Sequence, residues 1–240
     1  MAGHVAAART RRPGYRRRRP IPAIIVLAVL IVLSGFLWTR VFETSDDIEA
    51  ATRCNQPAPQ PAVDQASQDG GEPQPRQAPL GTMQPRTALD GTSPIPPQDV
   101  PVRVYNGNGE RMQAALISQE LNTLGFASGG EAGNDPVYTE YDLNCHGQIR
   151  YGGAGVSAAR TLSLLVPCAQ LVRDEREDAT VDLALGTRFD DIRASSEAMR
   201  VLQELKNWVP QRDQQDGAKN EVSKPPIKEE LLTSARDVHC

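Results

Sequence analysis

Val102-Arg103-Val104-Tyr105-Asn106-Gly107-Asn108-Gly109 is the stretch that decides the fold of this chain. Val102 and Val104 alternate with Arg103 and Tyr105, the period of a half-buried strand. Asn106 to Gly109 reads as a turn. Beyond it Ala114, Ile117, Leu121 and Leu124 recur at intervals of three and four, the face of an amphipathic helix. Gly125 is placed to end that helix. The fold therefore opens with strand, Gly-rich turn and helix.

Downstream the same order returns. Gln148–Tyr151 is a strand, Gly152-Gly153-Ala154-Gly155 a turn, and a helix runs from Val156 to Val166 with Ala159, Leu162 and Leu165 inward, until Pro167 stops it. Between the two units Phe126 opens a short strand, and 128–144 reads as polar and irregular. Ala169–Val172 and Val181–Leu185 are two more strands, separated by a charged turn. A third helix is capped by Ser195 or Ser196, carries Ala198, Val201 or Leu202, Leu205 and Trp208 on one face, and is ended by Pro210. The pattern predicts an α/β fold over 100–209, a two-layer α+β sandwich whose small mixed sheet carries helices mainly on one face. If the first and third strands run parallel, the two Gly-rich turns share one edge of the sheet.

Upstream, 43–99 is expected to be a Pro-rich extracytoplasmic linker. Residues 55–99 hold ten prolines and few large apolar groups, too little to offset the entropy of ordering. From Ile21 to Thr39 no side chain is charged, and as a helix this run spans ~28 Å, near the ~30 Å of a hydrocarbon core. Arg9, Arg11, Arg12 and Arg16 to Arg19 precede it, and acids follow Arg40. That bias predicts one transmembrane helix over 21–42, touching the cell membrane through Ile21 to Trp38, with a basic cytoplasmic arm at 1–20 and the C-terminal domain outside the cytoplasm. The run exceeds the ~7–15 apolar residues of a cleaved signal peptide. The tail, 210–240, is expected to be disordered apart from a helical turn near Ile227–Leu232.

On the outer side disulfides persist. Four cysteines, Cys54, Cys145, Cys168 and Cys240, allow three full pairings, and composition does not choose among them. Topology favours Cys145 with Cys168: each precedes a strand, and a right-handed crossover would lay those strand entries side by side. That bridge would close a loop of about 24 residues, worth ~3.4 kcal/mol in the chain-entropy model. Cys145-His146 makes a poor nucleophile or zinc pair, because an adjacent His seldom faces its neighbour and a second Cys/His cluster is missing from the sequence.

Candidate ligand-binding residues are those of the two turns and their strand ends: Tyr105, Asn106, Gly107, Asn108 and Gly109 at the first, and Arg150, Tyr151, Gly152 and Gly153 at the second. Helix-opening N–H groups attract anions, but Glu110 competes for that field, and glycines that merely permit tight turns are the more economical reading. No catalytic residue, metal site or cofactor is expected: neither turn is followed by Gly-Lys-Ser/Thr, and the acids at 174–178 lack the alternation of a calcium loop. The net charge of −4 argues against a nucleic-acid partner.

The run 102–109, followed by Ala114-Ala115-Leu116 through Leu121 to Leu124-Gly125-Phe126, resembles the LytR C-terminal domain family. Cys145-His146-Gly147-Gln148-Ile149-Arg150, Leu162–Val172 and Asp178–Gly186 carry the resemblance further. It implies a non-enzymatic, membrane-anchored protein supporting cell envelope integrity. The partner would be a wall glycan, an envelope lipid or an envelope protein. The competing expectation is an accessory or regulatory subunit of a membrane complex that builds or attaches wall polymers.

Overall fold

The structure is a computed structural model, and it describes residues 25–35, 50–58, 80–208, 225–238 and 240. The chain divides into two compact units, Met1–Ser45 and Asp46–Cys240. In the first, α1 covers residues 25–35. No helix among the described residues is long and apolar enough to cross a membrane. The expected span runs past α1 at both ends, into residues that lie outside the described ones, as does the basic arm.

The second unit is built on one seven-stranded mixed sheet. In chain order its elements are β1 (Thr82–Gln84), β2 (Pro101–Asn106), α2 (Gln113–Thr123), β3 (Ala127–Ser128), β4 (Gly133–Asn134), β5 (Gly147–Tyr151), α3 (Val156–Leu165), β6 (Gln170–Arg173), β7 (Val181–Leu185), α4 (Ser196–Asn207) and α5 (Glu229–Ser234). The strands lie in the order β1-β6-β5-β7-β2-β3, with β4 also on β2. Local chemistry sets the helix ends. Phe126 N–H donates to Leu121 O and Gly125 N–H to Asn122 O, a Schellman motif at the end of α2 with Gly125 left-handed at φ +92°. Ser195 caps α4, its hydroxyl accepting from Ala198 N–H at 3.1 Å.

The two faces of the sheet bury different things. Val102, Val104, Ile149, Tyr151, Leu171, Val181, Leu183 and Leu185 pack under α2 and α3 in one apolar core. α4 and α5 add a smaller cluster around Leu164, Val201 and Leu205. On the opposite face the cover is made mainly of connecting segments. There Tyr105, Cys145, Val172 and Ala184 are covered by Val137, Tyr138 and Leu143 from the 135–146 connection, and by Cys54 and Leu80 from upstream. The two-layer arrangement with helices on one side is thus present, and the loop expected to be irregular is the lid of the other side.

Three expectations need correction. The first concerns strand direction. β2 and β7 are parallel, but β5 is antiparallel to β7, so the first and third predicted strands run in opposite senses. β4 ends beside Asn106, where Asp135 N–H donates to Asn106 O, and Leu143 N–H donates to Gly107 O. With no helix between Asn134 and Gly147 to carry the chain back, β5 starts at that same end. Each half is a βαβ unit, and the halves are inverted.

The second concerns 43–99 and 210–240. Residues 50–58 and 80–99 belong to the folded unit, with Cys54, Leu80 and Leu89 buried and β1 closing one edge of the sheet. In the tail, α5 packs on α4 through Leu232. These segments read as polar because each contributes only one or two large apolar groups to a core made elsewhere.

The third is the disulfide. Cys145 is bonded to Cys54 and Cys168 to Cys240, with Cα separations of 4.9 and 5.5 Å. β5 and β6 are parallel neighbours, as expected. The sheet nonetheless separates the two cysteines. Cys145 sits in the cluster on the lidded face, whereas Cys168 follows α3 on the helix side, beside the segment that returns after α5. Each sulfur meets the chain end on its own side.

Candidate functional site

The inversion of β5 places Tyr105–Gly109 at one end of the sheet and Tyr151–Gly153 at the other. They form no common site. Each end is explained by its own hydrogen bonds.

At the first end the asparagines serve the turn. Asn106 Oδ1 accepts from the N–H groups of Asn108 and Gly109 at 3.2 and 2.8 Å, and its Nδ2 donates to Glu110 O at 3.0 Å. Asn108 Nδ2 donates to Gly186 O at 2.9 Å and to Gln113 Oε1 at 2.8 Å, while its Oδ1 accepts from Glu110 N–H. Gln113 in turn reaches Phe189 O. These contacts stitch the turn to the chain leaving β7. Side chains so engaged have little left for a ligand. Gly107 is required by closeness: a Cβ there would sit 3.0 Å from Leu185 O and 3.1 Å from Leu143. A cavity of about 380 Å³ opens beside the turn, lined by Asn108, Glu110, Gln113, Thr187, Phe189 and Asp190. Two exposed acids at its edge make it unfavourable to anions.

At the second end Gly152 is covered. A Cβ on it would run into the Arg176 carbonyl, so the 174–178 turn lies directly over the position where a phosphate would have to sit. Tyr151 is buried under the helices and burial pushes its phenol above the ordinary range. Arg176 donates to Asp174 and Asp182 at 2.6 Å each. Burial alone would pull its pKa down, but these hydrogen bonds and charges hold it above the usual arginine value.

Arg150 is the candidate the structure changes most. It is 3% exposed and makes a two-pronged pair with Asp135, Nη1 to Oδ1 at 2.8 Å and Nη2 to Oδ2 at 2.7 Å. Its Nε donates to Gln148 Oε1, Gln148 donates to the Tyr138 hydroxyl at 3.2 Å, and that hydroxyl donates to Asn55 O at 2.6 Å. Burial pushes the Tyr138 phenol up to about 12, against smaller opposing effects of Gln148 and Arg150. Each guanidinium nitrogen of Arg150 has a partner within the protein. The chain of bonds locks residues 54–58 onto the lidded face beside the Cys54–Cys145 bond, so Arg150 holds the fold together and is not free for a ligand.

Across the sheet this face carries a row of alternating charge. Arg103 and Arg150 both lie opposite Asp182 in the register, and Arg103 Nε donates to Asp182 at 3.1 Å while its guanidinium lies 5.0 Å over the Tyr105 ring. Asp135, Tyr138, Gln148 and Asp182 were missed as a group in the sequence. The available signal was period-two alternation itself, which puts Gln148, Arg150 and Asp182 on the same face. No cluster of three or more His, Cys, Asp or Glu side chains with metal-holding geometry occurs among the described residues.

Comparison with known proteins agrees with this architecture. Residues 99–189 match the LytR C-terminal family, described as LytR cell envelope-related transcriptional attenuator. The chain is 40% identical over 192 residues to the cell envelope integrity protein Cei of Mycobacterium tuberculosis, covering 80% of this chain and 83% of that protein. The crystal structure of the soluble domain of a conserved hypothetical secreted protein from Mycobacterium marinum superposes with a TM-score of 0.56 at 34% identity, over 67% of this chain and 99% of that one. With this extent of identity the chain belongs to the family of the cell envelope integrity protein Cei, and it carries a LytR C-terminal domain over 99–189.

Proposed function

We propose that this chain is a single-pass, membrane-anchored, non-enzymatic protein that supports cell envelope integrity through an extracytoplasmic binding domain. The observation that carries the reading is the 40% identity to Cei across 80% of the chain. Two disulfides within one small unit support a location on the oxidising side. The uncharged run Ile21–Thr39 with seven arginines before it supports anchoring with the N-terminus inside. On this reading the domain recognises an envelope component.

The test is complementation in a strain lacking the native gene, scored by dye permeability and detergent sensitivity. Full-length protein should restore the barrier, and a version with Ile21–Trp38 replaced by an unrelated span should do so too. Failure of the replaced span alone would favour an accessory that works through its membrane segment. A reporter fused after Cys240 that is active in the cytoplasm would overturn the topology.

A further inference from the structure

Most buried charge in the domain is matched, and one place breaks that pattern. Arg86 lies in the 3₁₀ turn after β1, Arg160 in the middle of α3 and Arg236 just after α5. They converge on a cavity of about 450 Å³, within the roughly 300–1,000 Å³ of small-molecule sites. Arg160 is 2% exposed and Arg236 7%. Their Nη1 groups donate to the same oxygen, Asp90 Oδ1, at 2.9 and 2.7 Å. The Nε atoms of both are buried without any partner. Arg86 spends its donors on two backbone carbonyls, Pro167 O at 3.4 Å and Arg236 O.

Three arginines and three acids line the cavity, but the pairing among them is uneven. Among the described residues the ion pairs of Arg160 and Arg236 both run to Asp90, which is itself half exposed. Glu229 and Asp237 also line the cavity, but both are exposed and neither pairs with the arginines. Burial pulls all three arginines below their ordinary pKa, and Arg236 falls to about 10, with Arg160 and Arg86 repelling it and Asp90 opposing. Guanidiniums buried with spare donors are what a second anion would satisfy.

We infer that this cavity, walled by Arg86, Arg160 and Arg236, binds a phosphoryl group presented on a polar carrier. A tetrahedral oxyanion offers several acceptor oxygens to converging forks, and the volume leaves room for a sugar or a headgroup beside it. The arm carrying Arg236 is tied to the end of α3 by Cys168–Cys240. The carrier's source, a phospholipid or a soluble sugar phosphate, rests on the envelope-binding reading; the phosphoryl site itself does not.

The experiment uses the full chain in phosphatidylcholine bilayers. Thermal unfolding is followed with sodium phosphate or glucose 1-phosphate against sodium chloride of equal ionic strength, and in bilayers containing phosphatidic acid. A phosphoryl compound should raise Tm in a saturable way. Arg236→Gln should weaken the half-saturating concentration by roughly tenfold or more, as loss of a charged hydrogen bond predicts. Arg86→Gln, at the least buried of the three, should weaken it several-fold while the protein stays folded in chloride. Asp90→Asn, which removes the competing anion, should tighten it by about tenfold. A response to phosphatidic acid alone assigns the group to a lipid, and a response to glucose 1-phosphate assigns it to a soluble sugar. Equal Tm in phosphate and chloride for both wild type and Asp90→Asn, with no effect of phosphatidic acid, would overturn the site. Complementation by Arg86→Gln that matches wild type, with phosphate binding weakened, would detach the site from the envelope role without touching the binding result.

Discussion

The two disulfides can be separated by their thermodynamics. Cys54–Cys145 closes a loop of 91 residues and Cys168–Cys240 one of 72. In the chain-entropy model these restrict the unfolded chain by ~4.6 and ~4.4 kcal/mol respectively, each larger than the ~3.4 kcal/mol of the shorter bridge expected from sequence. Cys54→Ala and Cys145→Ala should therefore destabilise alike, and their double mutant no more than either, because one change already opens the loop. Cys168→Ala and Cys240→Ala should behave as a second such set. The decisive variant is Cys145→Ala with Cys168→Ala. Under the observed pairing it opens both loops, and its loss is the sum of the singles, ~9 kcal/mol, comparable to the ~5–15 kcal/mol total stability of a domain. Under a Cys145–Cys168 bridge it would match either single. Urea unfolding at constant pH reads the midpoints, and peptide mapping without reduction reads the bonds. A silent Cys54→Ala, or a cross-pair double no worse than its singles, would refute the pairing.

Further outcomes follow from individual contacts. A specific protease site inserted within 65–75 should, once cut, leave the domain attached to the N-terminal segment through Cys54–Cys145, and reduction should release it; release without reductant would mean that bond is absent. The Tyr138 phenol titrates at about 12 in the fold against 10.0 ordinarily, so its protonated form is favoured by folding: stability should be level below pH 10 and fall as pH rises toward and past 12, by about 2–3 kcal/mol in all, and Tyr138→Phe should flatten that slope. Gly152→Ala should cost about 1–3 kcal/mol through its clash with the Arg176 carbonyl, whereas Gly153→Ala, whose nearest neighbour is the end of the Arg173 side chain at 3.6 Å, should change urea midpoints little. Asp135→Asn should cost about 3–5 kcal/mol by leaving Arg150 buried and unpaired; a loss below 1 kcal/mol would mean the pair is solvated.

Much of the helix side was legible from residue pattern alone. β2, α2, β5, α3, β7 and α4 begin and end close to where periodicity and caps put them, because Val102/Val104, Ile117/Leu121 and Leu162/Leu165 report one apolar core, while Gly125 and Ser195 report helix ends. What escaped was the other face. Cys54, Leu80 and Tyr138 are single large groups set among polar neighbours, and for Cys54 and Leu80 burial depends on sheet residues about a hundred positions away or more. Strand direction escaped for the same reason. Local pattern is blind to whether 135–146 returns the chain or turns it around.

The candidate residues divide along this line. Gly107 and Gly152 were singled out by composition, and both turn out to be glycine because another backbone or side chain comes too close for a Cβ. Arg150 was singled out by its place next to a turn, yet a carboxylate, an amide and a phenol ring surround it. A residue whose donors are all answered within the protein has no free energy left to offer a partner. Recognition is better sought where burial and pairing disagree. In this domain they agree along the row Arg103, Asp182 and Arg150, where each charge faces its opposite. They disagree at Arg160 and Arg236, two buried guanidiniums drawn from the middle of an apolar helix and from the tail, sharing one oxygen of a half-exposed Asp90. Arg160 in the run Val156–Leu165 was the only sequence trace of that imbalance, and it became meaningful once the tail brought a second arginine beside it.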